Sequence, residues 1–316
     1  MTGTGSAAPH SDLPVVVGVD GSRDATAAAR LGAREAAFRS APLRLVLAFP
    51  WAQGDRIPAP EGFDAWAVLR ASADFVLGSL EAMAREEAPG LRVESRLADG
   101  PAVDVLVAES ETAQLLCVGS TSTGGVGDLL LGSTASAVVR LSRCPVLVVP
   151  QRPGTAVSER SGVVVGLDGT SDDDPVLAFA LRAAADRSTE LVAVHTWEHM
   201  APGPVGLLAD PLMGDTAARR RAEALLTDSL DRAGVTDVPV RRVVEPGRPA
   251  EALLAVATTA QLLVVGHRHR RGGALGVLRS VTNAVLHRAA CPVAVVPLPA
   301  RADRAVASVT APAGRR

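Results

Sequence analysis

Two features of this chain have residue types and spacing that could do chemistry: an aspartate that closes a short apolar run, and a small-residue stretch that opens a helix. VVVGV (15–19) runs into Asp20, and LLCVG (115–119) runs into Ser120-Thr121-Ser122-Thr123-Gly124-Gly125-Val126-Gly127-Asp128, then Gly132-Ser133-Thr134. Glycines let the main chain approach a phosphate closely and turn its N–H groups toward it. A helix beginning at Gly132-Ser133-Thr134 adds unpaired N–H groups and a positive dipole end. The hydroxyls of Ser133 and Thr134 can supply further hydrogen bonds, and Asp20 can hold a sugar or a base edge. Gly/Ser/Thr clusters usually mark plain loops. Position between a buried strand and a helix is what favours anion binding here.

Enzymatic alternatives fare worse. His195-Thr196-Trp197-Glu198-His199 matches H-x-x-E-H, a metalloprotease string that needs both histidines on one helical face. His195 instead continues the strand pattern ELVAV, where residues four apart lie about 13 Å from each other. Zinc is therefore not expected. A Walker A motif is excluded because the chain contains no lysine, and no G-x-S-x-G elbow occurs. Asp172-Asp173-Asp174 follows Asp168 and reads as acidic residues at a helix start, where negative charge is favoured. No general-base constellation for attack by water stands out. The chain reads as a non-enzyme, with slow incidental hydrolysis of a bound phosphate ligand at most.

The elements that must position these residues repeat. VVVGVDGS (15–22) returns as VVVGLDGT (163–170), LLCVGS (115–120) as LLVVGH (262–267), and CPVLVVP (144–150) as CPVAVVP (291–297). Asp20 and Asp168 are 148 residues apart, and Cys144 and Cys291 are 147 apart. This is a tandem duplication, with a period too long for a solenoid unit of about 20–50 residues. We expect a domain over 13–150, a polar linker over 151–160, a second domain over 161–298, and disordered tails at 1–12 and 299–316.

Within the first copy, short apolar runs at 15–19, 43–49, 91–97, 115–119 and 145–149 alternate with helical patterns at 24–40, 66–88, 101–113 and 132–142. Such alternation implies right-handed βαβ units, a parallel sheet and helices on both faces, a doubly wound α/β fold. Ligands of open parallel sheets bind beyond the carboxyl ends of the strands, where Asp20 and Gly119 fall.

The 316 residues are 47% hydrophobic and 21% charged, enough apolar material for ordinary cores. A net charge of −2 gives no electrostatic case for nucleic acid or a membrane surface. No apolar run reaches the roughly 20 residues of a membrane span, and the N-terminus lacks a signal-peptide pattern. Cys117, Cys144 and Cys291 form no CxxC pair and read as small buried residues. A reducing, cytoplasmic setting fits.

The spacing Gly119 … Gly132-Ser133, the strand-end Val-Asp-Gly-Ser at Asp20, the helix start at Gly100-Pro101-Ala102 and the repeated Cys-Pro-Val strand together resemble the universal stress protein family, over nearly the whole chain. The resemblance implies two tandem Rossmann-like domains, each a five-stranded parallel sheet in order 3-2-1-4-5. It also implies ATP, with or without Mg2+, held by Asp20, Gly119, Gly124, Gly125, Gly132 and Ser133, with Gly18, Ser120 and Thr134 beside them. Ser122 stands where the family has its second glycine. The matching second-copy positions are Asp168, Gly266, Gly272, Gly273 and Ser280. There His269 replaces the second glycine and Arg279 replaces Gly132, so a weakened second site is expected and nucleotide mainly in the first copy.

Two functions follow as expectations. One is a nucleotide-responsive stress-response regulator. The other is a nucleotide-free scaffold in which the edge strands CPVLVV and CPVAVV pair across copies or chains, a homodimer included.

Overall fold

Valine-rich runs bounded by turns build ten strands, and alanine-rich stretches between them build eight helices, in a computed structural model that describes residues 13–50, 64–120, 131–150, 161–197, 211–234, 237–268 and 280–298. The first repeat runs β1 (Val15–Val19), α1 (Arg23–Phe38), β2 (Leu43–Phe49), α2 (Ala65–Glu87), β3 (Val93–Asp99), α3 (Ala102–Glu109), β4 (Leu115–Gly119), α4 (Ser133–Leu141) and β5 (Val146–Val149). The second runs β6 (Val163–Gly166), α5 (Asp174–Asp186), β7 (Leu191–Trp197), α6 (Pro211–Arg232), β8 (Val240–Pro246), α7 (Pro249–Val256), β9 (Leu262–Arg268), α8 (Ser280–Arg288) and β10 (Val293–Leu298).

The sheet order is β3-β2-β1-β4-β5-β10-β9-β6-β7-β8. Each repeat thus has the order 3-2-1-4-5 with parallel neighbours, as the resemblance implied. The two repeats join where β5 and β10 pair antiparallel, Leu147 opposite Ala294. The expected edge strands CPVLVV and CPVAVV are therefore each other's partners within one chain, the pairing across copies. Their backbone groups are already used in the ladder. The outer strands β3 and β8 carry Glu94, Arg96, Arg241 and Arg242, charges that blunt an edge against further pairing.

Helices cover both faces. Val15 and Val17 lie on the sheet face covered by α1, α2, α5 and α6; Val16 lies on the face covered by α3, α4, α7 and α8. This is the period-two alternation of a strand buried on both sides. Helix α1 lies close to the sheet because its inner stripe is Ala25, Ala28, Ala29, Ala33 and Ala36, spaced for one helical face. Strand β3 begins two residues later than expected: Gly90, at φ +85°, turns the chain and Leu91 N–H bonds back to the Ala88 carbonyl. Helix α3 ends at Glu109 and tightens into a 3-10 turn over Ser110–Thr112. All three cysteines are buried and free, as expected of small apolar fillers.

A buried ion cluster ties α1 to α5. Arg39 lies 3.2 Å from Glu35 and 3.4 Å from Asp186, and Arg187 bonds Glu35. Arg39 also sits over the Phe179 ring at 5.4 Å, and Arg187 over Phe38 at 5.3 Å, so each arginine covers an aromatic ring of the other repeat.

Candidate functional site

Strand order reverses between β1 and β4, and a cleft opens at their carboxyl ends lined by Gly18, Asp20, Ser22, Gly119, Gly132 and Thr134. Asp20 stands at the lip on an Asx turn, its Oδ1 accepting from Ser22 N–H at 2.9 Å. Gly21 follows at φ +79°, a left-handed turn that glycine makes without strain. Ser22 then caps α1, its hydroxyl accepting from Ala25 N–H at 3.1 Å.

Gly132 is the N-cap of α4 and has no side chain to fill the cap. Its own N–H donates to the Ser120 carbonyl at 2.7 Å, while Ser120 N–H donates to Val149 at 2.9 Å. The two sides of the phosphate-loop candidate are thereby clasped at Ser120–Gly132, and the first N–H groups of α4 are left for another acceptor. A second link comes from the other repeat: Leu131 N–H donates to Nδ1 of His287, on α8, at 3.3 Å.

The structure thus brings Gly18, Asp20, Gly119, Gly132 and Thr134 to one cleft. Ser120 acts through its backbone, and Ser133 opens α4 with its side chain exposed. Ser122, Gly124 and Gly125 lie outside the described residues, as do Gly272 and Gly273. Gly18 and Gly119 have a packing reason for their size. A Cβ on Gly18 would come within 2.8 Å of Leu106, and one on Gly119 within 2.7 Å of Asp24.

The second repeat has the matching cleft, with Asp168 and Gly266 in place and α8 opening at Ser280. Its walls differ. Asp173 is buried, its Oδ2 accepting from Gly169 N–H at 2.7 Å and Thr170 N–H at 3.2 Å. Burial first, and then the neighbouring Asp168 charge, raise the Asp173 carboxyl from its ordinary value. The acidic run does flank a helix start: Thr170 and Asp173 form a capping box ahead of α5. His195 lies in β7, as its strand pattern requires, with Nδ1 at 2.8 Å from the Leu167 carbonyl. The other histidine of the H-x-x-E-H string lies outside the described residues. Among those described, no cluster of three His, Cys, Asp or Glu could hold a metal ion.

The enclosed space is unequal: about 80 Å³ in the first cleft and about 400 Å³ in the second. The sequence reading, which weighted the first repeat, did not foresee this. It also missed His195, Thr196 and Thr282 in the second cleft, because they stand at strand and helix positions whose counterparts Leu47, Ala48 and Ala135 look like ordinary core. Comparing the two repeats position by position is the signal that finds them.

The family model of the universal stress proteins matches residues 13–150 and again 160–297. The chain belongs to the universal stress protein family. Its relatives include Universal stress protein Rv2005c of Mycobacterium tuberculosis, 36% identical over 296 residues, 91% of this chain and 98% of that one. Universal stress protein Rv1996 of the same organism is 33% identical, covering 92% and 97%. A universal stress protein crystal structure from Archaeoglobus fulgidus superposes with a TM-score of 0.66 at 18% identity, over 90% of this chain and 98% of that chain, a likeness of fold. No helix among the described residues of this universal stress protein is long and apolar enough to cross a membrane.

Proposed function

We propose that this universal stress protein is a stress-response regulator that binds an adenine nucleotide, ATP, reversibly in its first repeat, residues 13–150. The observation that carries the reading is the shared cleft of Asp20 and the α4 N-terminus at the carboxyl ends of β1 and β4. Phosphates lie at the start of α4, where the N–H groups of Ser133 and Thr134, beyond the Ser120–Gly132 clasp, and the helix dipole favour an anion. Mg2+, when present, accompanies the phosphates. Asp20 keeps one carboxylate oxygen beyond its Asx turn for the sugar or base. The enclosed volume of about 80 Å³ takes one end of the ligand, and the rest lies over the rim. Binding, not turnover, is the activity, in a cytoplasmic setting.

The decisive measurement is thermal unfolding with and without ATP. A ligand that binds only the folded state stabilises it by about 2.7 kcal/mol at 100 times its Kd. Gly132→Arg, which copies Arg279 of the second repeat, places a side chain where the phosphates lie and removes the first-repeat stabilisation. An ATP shift of full size in Gly132→Arg defeats the reading, and nucleotide co-purifying with the wild-type protein identifies the ligand.

A further inference from the structure

The second cleft differs from the first in the side chains that line it. Where the first repeat has Leu47, Ala48, Ala25 and Ala135, the second has His195, Thr196, Asp173 and Thr282. His195 is 9% exposed. Its Nδ1 faces a carbonyl, which only accepts, so that nitrogen carries a hydrogen, and the tautomer with its hydrogen on Nδ1 has Nε2 as its acceptor. No hydrogen bond reaches Nε2 among the described residues, and His195 lines the cleft. Thr196 follows it in β7, and Asp168 adds a carboxylate from the end of β6.

We propose that the second cleft is a binding site of its own for an uncharged nucleoside, with His195 Nε2 accepting a hydrogen bond from an amino or hydroxyl group of the ligand. The cleft volume of about 400 Å³ falls in the range of small-molecule sites, roughly 300–1,000 Å³. Val194, Leu253 and Val265 give apolar walls for a flat heterocycle, and His195 and Asp168 accept from its donors. The carboxylates of Asp168 and Asp173 disfavour an anion in the depth of the cleft. The position of Gly132, which has no side chain, is Arg279 here. The proposal stands apart from the nucleotide reading of the first repeat.

Calorimetric titration of the full chain carrying Gly132→Arg, which closes the first site, reads the second cleft alone. We expect adenosine to bind at least as tightly as its 5′-monophosphate. His195→Leu, the residue of the first repeat, weakens adenosine about tenfold, and His195→Gln, which restores an acceptor, recovers most of it. With His195 in place, purine riboside or 2′-deoxyadenosine, whichever lacks the donor His195 meets, also binds about tenfold more weakly. The proposal is overturned by absence of adenosine binding, by tighter binding of the monophosphate, or by equal affinities for all three nucleosides. Unchanged affinity in a folded His195→Leu protein overturns it too. If His195→Leu does not fold, the comparison of the nucleosides decides on the His195 protein. ATP binding lost or kept in Gly132→Arg judges the first site separately.

Discussion

The main-chain N–H of Leu131 in the first repeat donates to the imidazole Nδ1 of His287 in the second, across 3.3 Å. Leu131 immediately precedes Gly132, so the entry to α4 is held from outside its own repeat. The helix bearing His287 is the nine-residue α8, about 13 Å long, and its first turn places Val281 and Thr282 in the second cleft. One short element therefore lines the second cleft and holds the residue that precedes Gly132 of the first.

His287→Ala removes the acceptor and loosens the Leu131–Gly132 entry. We expect ATP binding at the first repeat to weaken roughly threefold to tenfold, with little change in Tm, and His287→Asn to restore part of the loss. Calorimetric titration of the three proteins checks it. Equal affinities would show that the Ser120–Gly132 clasp suffices.

Much of this architecture is legible in the sequence. Repeated apolar runs mark the strands, and the paired blocks mark the duplication, because buried parallel strands and their turns tolerate few residue types. Asp20 and Gly132 are legible for the same reason: a strand end and a helix start have local signatures. Gly18 and Gly119 suggest ligand approach in the sequence, yet Leu106 and Asp24 press against them, a contact between residues far apart in the chain that no spacing reveals. The pairing of β5 with β10 is equally remote. The sequence shows two apolar strands able to pair across copies or across chains, and only the packing of the two repeats chooses.

The thiols offer an unusually clean alkaline titration, since the chain has neither lysine nor tyrosine. Burial pushes Cys144 and Cys291 from an ordinary 9.0 up to about 11, and Cys117 upward as well. The folded protein keeps these protons after the unfolded chain has released them. Their contribution is complete below pH 9 and is lost as pH rises toward 11, at about 1.4 kcal/mol per pH unit for each thiol. Urea unfolding across pH 8–11 reads the slope. Replacing Cys144 and Cys291 with alanine flattens it, and a slope unchanged by that replacement contradicts the assignment.

The two repeats start their first helices differently, and each start is testable. Asp173 accepts from Gly169 and Thr170 N–H in the second repeat, whereas Ser22 alone caps α1 in the first. Asp173→Ala, which copies Ala25, leaves both N–H groups without that acceptor and costs about 1–2 kcal/mol; Ser22→Ala costs about 1 kcal/mol. Chemical denaturation of each variant measures the loss. A cost for Asp173→Ala smaller than that for Ser22→Ala would mean that the burial of its carboxyl, which raises its pKa, offsets the cap.

The seam between the repeats is held by charge as well as by the sheet. Glu35 is 1% exposed and faces both Arg39 (4%) and Arg187 (5%), while Asp186 meets Arg39 from the far side. Glu35→Gln leaves two buried guanidinium groups with one carboxylate, and loss of one partner from such a cluster costs about 3–5 kcal/mol. The Glu35→Met, Arg187→Met double variant takes one charge of each sign away together and keeps apolar contact with Phe38. It should lose much less than the sum of its two single variants, a coupling of about 1–3 kcal/mol in a double-mutant cycle. Additive losses would mean that Glu35 and Arg187 act independently, leaving the β5–β10 ladder and the arginine–ring contacts at Phe38 and Phe179 to hold the repeats together.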